Sequence, residues 1–206
     1  MKRWALLTIL LYAVCVAILG IPFLYEEDLY LFFYIYLGPI LVLVQLTLLL
    51  IPIAVTERRQ VGRRSIITSA IIGAIPMAFL VMMFVISVIL MILGEGKADK
   101  YVYNWPILFV PAVFWFLWGF IFYRNYSADD PGKFTTAVTR WLLKGSILEV
   151  LVAIPSHIIS RHREECCAPP ITFLGIITGL AIALLSFGPG IFFLFAKRIK
   201  DKRAKN

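Results

Sequence analysis

The chain has 206 residues, of which 61% are hydrophobic and only 16% are charged. Soluble domains usually carry about 25% charged residues and 45–50% apolar ones, so this composition excludes an ordinary soluble protein. It predicts one polytopic domain over residues 1–206 with the lipid bilayer as its partner. The net charge of +8 comes from short basic clusters between apolar runs, a pattern that argues against a nucleic-acid partner.

Six apolar runs are long enough to cross a bilayer, which takes about 20 residues. They cover residues 4–24, 29–55, 66–93, 105–123, 141–160 and 171–196, and a basic tail follows over 197–206. The first run resembles a signal peptide but lacks a small-x-small cleavage site, so we interpret it as an uncleaved span. Backbone groups in lipid must bond one another. The predicted fold class is therefore an all-α integral membrane protein, a bundle of about six transmembrane helices.

Loop charges predict the orientation of these spans. With a cytoplasmic N-terminus, the inner segments hold sixteen of the twenty Lys and Arg residues, and the outer segments hold four. Basic residues collect on the cytoplasmic side of membrane proteins. We therefore predict a multi-pass protein of the cell membrane with both termini cytoplasmic. The segment between the fifth and sixth spans then faces the outside.

Small residues and prolines within the spans indicate how the helices pack. Gly175, Gly179 and Ala183 follow one another at four-residue spacing, which lets a neighbouring helix approach closely. The sequence Gly188-Pro189-Gly190 predicts a break near the inner end of the sixth helix. The aromatic run of the fourth span is typical of a lipid-facing or packing surface. Residues 134–141 are expected to lie along the inner surface before the fifth span begins.

Glu149 is a carboxylate well inside the fifth span. A charged side chain at that depth costs roughly 2.5–3.5 kcal/mol, so such residues usually face the bundle interior or a water path. Steps of three and four residues predict one small, polar helix face made of Gly145, Glu149, Ala153, Ser156 and Ser160. Lys144 lies about one turn away. The alternative to a functional role is a structural one, in which Glu149 is protonated or pairs with Lys144 or with a hydroxyl group.

The segment PSHIISRHREECCAPP, residues 155–170, concentrates the chain's ligand-type side chains. Cys166 and Cys167 are adjacent, and neighbouring Cα atoms are about 3.8 Å apart, below the usual disulfide range of about 4.4–6.8 Å. Free thiols on the oxidising side of a membrane need a purpose. Thiolates beside the imidazoles of His157 and His162 suit zinc or copper. His157 and His162 are five residues apart, so both bind one ion only if the helix ends between them.

Three functions follow from these residues. The leading hypothesis is a protein that binds or transports a soft transition-metal ion, zinc or copper, through Cys166, Cys167 and His157 or His162, with Glu149 deeper in the bundle. The second is a membrane thiol–disulfide oxidoreductase that exchanges electrons between this cysteine pair and a quinone. The third is a structural or assembly subunit, as a homo-oligomer or with a partner membrane subunit. Enzymatic activity stays undecided.

Overall fold

The structure, a computed structural model, describes residues 2–25, 31–56, 63–95, 97–98, 105–124, 131–163 and 168–205. These residues form six long helices. Helix α1 spans Lys2–Leu19 and is followed by a short 3-10 helix, Ile21–Tyr25. Helix α2 begins with a π-helical stretch, Phe32–Leu37, and continues as the α-helix Gly38–Thr56. The remaining helices are α3 (Arg63–Leu93), α4 (Trp105–Arg124), α5 (Pro131–His162) and α6 (Ala168–Lys205).

The all-helical fold and the count of six helices are confirmed. Four segments are long and apolar enough to cross a membrane: Phe32–Ile53, Arg64–Leu93, Lys133–His162 and Pro169–Phe192. The apolar parts of α1 and α4, Trp4–Leu19 and Phe109–Arg124, are shorter. The first predicted span is longer than the helix that forms there, because α1 ends at Leu19 and the chain turns at Gly20.

Helices α3, α5 and α6 form the centre of the bundle. The most extensive contact is between α5 and α6, while α3 packs against both α4 and α5. Helices α1 and α2 contact the other side of α6. One continuous core contains buried side chains from all six helices. The bundle end at which α5 finishes and α6 begins is called the His162 end below.

Helix α4 lies at the periphery, on α3, and has little contact with α5. Its Phe116 is 74% exposed and Phe120 is also exposed. Trp115 instead donates its indole N–H to the Ile71 carbonyl of α3, 2.8 Å away. The aromatic run therefore has a packing side, as predicted, and an exposed side.

Glycines in α6 allow α5 to approach closely, as their spacing predicted. A Cβ atom at Gly179 would lie 2.7 Å from Cγ2 of Val150 and 3.3 Å from the Ser146 carbonyl oxygen, both on α5. A Cβ atom at Gly175 would lie 2.9 Å from Oε1 of Glu149. A larger residue at Gly179 would have to displace Val150 or the α5 backbone, and one at Gly175 would have to displace the Glu149 carboxylate.

Two expectations about helix boundaries are wrong. The stretch 134–141 does not lie separately along a surface, because α5 begins at Pro131 and is continuous to His162. Proline suits the first turn of a helix, where its missing N–H costs nothing. Phe134, Val138 and Leu142 then recur every four residues and are fully buried, so core packing extends the helix ten residues below the predicted span.

Helix α6 is also unbroken, contrary to the expectation for Gly188-Pro189-Gly190. The proline removes one backbone donor, but Leu185 before it and Phe192 after it are both fully buried. Packing on both sides therefore keeps the helix continuous. The amide of Gln45 on α2 lies directly against Gly188, where a Cβ atom has no room.

The close approach of α5 and α6 predicts a sharp size limit at Gly179. Replacing it in a Gly179→Leu variant should lower the free energy of unfolding by about 1–3 kcal/mol, because Val150 and the Ser146 backbone must move. Unfolding in mixed detergent–SDS micelles, followed by circular dichroism, measures this change. Gly190→Leu is the matched control, since a Cβ atom there meets nothing within 4 Å. Equal stability of the two variants would contradict the close contact.

Candidate site inside the helix bundle

Glu149 is buried inside the bundle, with 1% of its surface exposed. The polar face predicted for the fifth helix is confirmed for Glu149, Ala153, Ser156 and Ser160, all of them buried. Ser146 completes this face. Gly145, one turn before Glu149, packs against Met77 and Leu80 of α3.

The carboxylate of Glu149 lies where α5 meets α3 and α6. The hydroxyl of Ser87 on α3 donates to its Oε1 over 3.5 Å, a long and weak hydrogen bond. Ser156, two turns further along α5, donates to the Ser87 carbonyl at 2.8 Å and fixes the position of that residue. The other carboxylate oxygen, Oε2, has no hydrogen-bond partner in the described part of the chain. An unsatisfied buried oxygen is costly, so this one is available to a ligand.

Lys144 lies apart from Glu149. It is exposed, and its ammonium group is 5.5 Å from the ring centroid of Trp141. The structural alternative of a Glu149–Lys144 pair therefore receives no support from these contacts, while a hydroxyl contact, with Ser87, is present.

His157, eight residues after Glu149, lies near the His162 end. Its Nδ1 is 3.1 Å from the Pro169 carbonyl and 3.1 Å from Oγ1 of Thr172, both on α6. A carbonyl oxygen can only accept, so Nδ1 must carry the proton in its bond to Pro169. In the neutral ring Nε2 then keeps its lone pair. Histidines that bind metals usually show this arrangement, with the other ring nitrogen held by a carbonyl or carboxylate.

A cleft of about 380 Å³ opens beside His157. Its walls come from the 3-10 helix after α1 and from the facing ends of α5 and α6. The ring of Phe173 is 5.7 Å from that of His157, and Phe23 packs on Phe173 from the other side at 5.6 Å. Arg161 also lines the cleft. The imidazole is therefore held in a fixed orientation. Apart from His157 and Arg161, the side chains that line the cleft are apolar.

Ser160 continues the polar face of α5 three residues beyond His157, on the side away from Glu149. Eight residues separate His157 from Glu149, a rise of about 12 Å along the helix. In the described residues, the buried hydroxyl of Ser160 has no partner, and neither has that of Thr178 on α6. Unsatisfied polar atoms thus accompany Glu149 in the interior of the α5–α6 pair, where water or an ion can satisfy them.

Of the four predicted metal ligands, the structure describes His157 and His162. Cys166 and Cys167 lie outside the described residues. His162 is exposed, and its Nδ1 is 2.8 Å from the Ile158 carbonyl. Since α5 continues to His162, the two histidines lie about 140° apart around the helix and do not share a face. In the part of the chain that the structure describes, no group of three or more His, Cys, Asp or Glu residues is placed to hold an ion.

Two residues of the site were not singled out from the sequence. Ser87 is the sole polar side chain between residues 70 and 93, and that isolation is a usable signal for an inward-facing hydroxyl. Thr172 stands in the first turns of α6 after two prolines, where a hydroxyl commonly bonds its own helix, so its contact with His157 had no sequence signal.

Comparisons with protein-family models, with curated proteins and with solved structures find no match to this chain.

The unsatisfied oxygen of Glu149 predicts a stability effect of unusual sign. Glu149→Met, which fills a similar volume without polar atoms, should raise the free energy of unfolding by about 1–3 kcal/mol when no metal is added. Tyr12→Phe is the control, because the Tyr12 hydroxyl donates to the Ala181 carbonyl at 3.1 Å. Its loss should lower stability by about 0.5–1.5 kcal/mol. A strongly destabilised Glu149→Met variant would mean that the carboxylate has a structural role and stabilises the fold.

The hydrogen bonds of His157 predict its tautomer. In protein with ¹⁵N-labelled histidine, the neutral ring of His157 should show a protonated Nδ1 and an unprotonated Nε2. His157→Gln identifies the signal by its absence. The opposite tautomer would mean that the bond to the Pro169 carbonyl is not formed.

Proposed function

We propose that this chain is a multi-pass protein of the cell membrane that binds a soft transition-metal ion, zinc or copper(I), and passes it into the bundle. The observation that carries the proposal is the buried carboxylate of Glu149 with its free Oε2, on the same helix as His157. The ion is the substrate. His157 receives it in the cleft, and Glu149 binds it about 12 Å deeper.

The donor types fit such an ion. Imidazole nitrogen suits zinc and copper, and thiolate sulfur suits them better still. Cys166 and Cys167 directly precede α6 in the sequence, and Pro169 in the first turn of α6 lines the cleft. We propose that these thiols complete the entry site with Nε2 of His157. His162 on another side of α5 is not required.

The orientation belongs to the same proposal. The sixteen basic residues assigned to the inner segments support cytoplasmic termini and an outward-facing cleft. Entry from the outer side then leads along the hydroxyl face of α5 towards Glu149.

Metal binding is tested on purified protein in detergent, with zinc measured by equilibrium dialysis and elemental analysis. Wild type should bind about one ion per chain, as one entry site requires. Cys166→Ser/Cys167→Ser should abolish binding, and His157→Gln should weaken it at least about ten-fold, as loss of a ligand does. His162→Gln is the matched control and should bind like wild type. Zinc well below one ion per chain in wild type, or binding unchanged by the cysteine changes, contradicts the proposal.

Passage through the bundle is tested separately in proteoliposomes that contain a zinc-sensitive dye. Glu149→Gln should retain the ion at the entry site but lose at least about ten-fold in uptake rate, since a neutral amide is a far poorer ligand than a carboxylate. His162→Gln again serves as control. Uptake by Glu149→Gln equal to that of wild type would remove Glu149 from the pathway. Absence of uptake by wild type would leave only a binding protein.

The oxidoreductase and assembly-subunit hypotheses remain predictions. Mixed disulfides trapped by one Cys→Ser variant and not by the other would favour the thiol–disulfide enzyme. Loss of bound partner subunits when exposed apolar residues are substituted would favour the assembly role.

A further inference from the structure

A second concave surface lies on the outside of the bundle, away from the cleft and near the middle of α3 and α5. Helices α4 and α5 both pack on α3 but hardly contact each other, which leaves a groove between them. Its volume is about 350 Å³. Met77, Leu80 and Phe84 of α3 form the floor, while Trp118 of α4 and Leu148 of α5 line the walls. An apolar groove of this kind holds an extended hydrocarbon chain well.

Basic side chains stand at one end of this groove. Trp118 and Trp141 meet there with ring centroids 5.2 Å apart and close the groove. Lys144 is part of the lining, and its ammonium group turns back to within 5.5 Å of the Trp141 ring centroid. Arg140 lies one turn before Lys144 on the same side of α5 and is exposed. Two cationic side chains, Lys144 and Arg140, therefore lie beside one end of the apolar groove.

We propose that this groove is a binding site for an anionic phospholipid. One acyl chain occupies the groove over Met77, Leu80 and Phe84, and the phosphate contacts Lys144 and Arg140. The tryptophans lie at the level between chain and headgroup, where indole rings are favoured. The charge decides the occupant, since a zwitterionic lipid gains less from two adjacent cations than an anionic one. This site does not depend on metal binding at Glu149.

Anionic lipids are concentrated in the cytoplasmic leaflet, and each basic residue near that surface contributes about 1 kcal/mol to attraction. That free energy corresponds to a factor of about five in affinity. Lys144 and Arg140 belong to the segments that the loop charges assign to the cytoplasmic side. We therefore expect the site to favour phosphatidylglycerol over phosphatidylcholine at least about five-fold.

The experiment uses quenching of tryptophan fluorescence by brominated lipids. In the full chain with Trp4, Trp105 and Trp115 replaced by Phe, emission comes from Trp118 and Trp141 at the site. Brominated phosphatidylglycerol should quench with at least about five-fold higher apparent affinity than brominated phosphatidylcholine. Lys144→Gln combined with Arg140→Gln should reduce the preference below about two-fold. Lys97→Gln, which removes one charge far from the groove, should keep it.

Equal affinities for the two lipids, or a preference that survives the double substitution, would overturn the proposal. Native mass spectrometry of the otherwise unaltered chain gives a second measurement that needs no tryptophan changes. Retention of phosphatidylglycerol by wild type and its loss in the double variant would support the site. Equal retention of both lipids by wild type would count against it.

Discussion

The contact of α5 with α6 at Gly175 and Gly179 sets the geometry around Glu149. Because neither glycine has a Cβ atom, the helices approach until the Glu149 carboxylate meets the α6 backbone. The same approach brings His157 of α5 against Pro169 and Thr172 of α6. A wider spacing would let the carboxylate swing and would break the hydrogen bond that fixes the imidazole. The proposed entry site at His157 and the deeper site at Glu149 therefore both depend on glycine at positions 175 and 179.

Local signals predicted much of the fold. Apolar runs located all six helices, because each helix contains a long apolar stretch. Helix ends were less predictable, since they depend on contacts between distant residues. Phe134 and Val138 keep the start of α5 helical through burial that their own sequence neighbourhood does not reveal. Leu185 and Phe192 likewise hold α6 together across Pro189, against the local preference for a break.

The candidate site shows the same division between local and distant information. Helical periodicity within α5 was enough to predict that Glu149, Ala153, Ser156 and Ser160 share one face. The partners of Glu149 and His157 could not be predicted, because Ser87 and Thr172 reach them only through the positions of three helices along their axes relative to one another. The periodicity of one helix contains no information about that register.

Gln45 and Gly188 link two distant positions of the chain. The buried amide of Gln45 fills the space in which any side chain at residue 188 would stand. Residue 188 can therefore gain a side chain only if residue 45 becomes smaller or turns away. A substitution at residue 188 therefore favours a change at residue 45, whereas a smaller residue at 45 requires none at 188. In related sequences a non-glycine residue at 188 should accompany a small residue at 45, so the pair would vary together although 143 positions separate them.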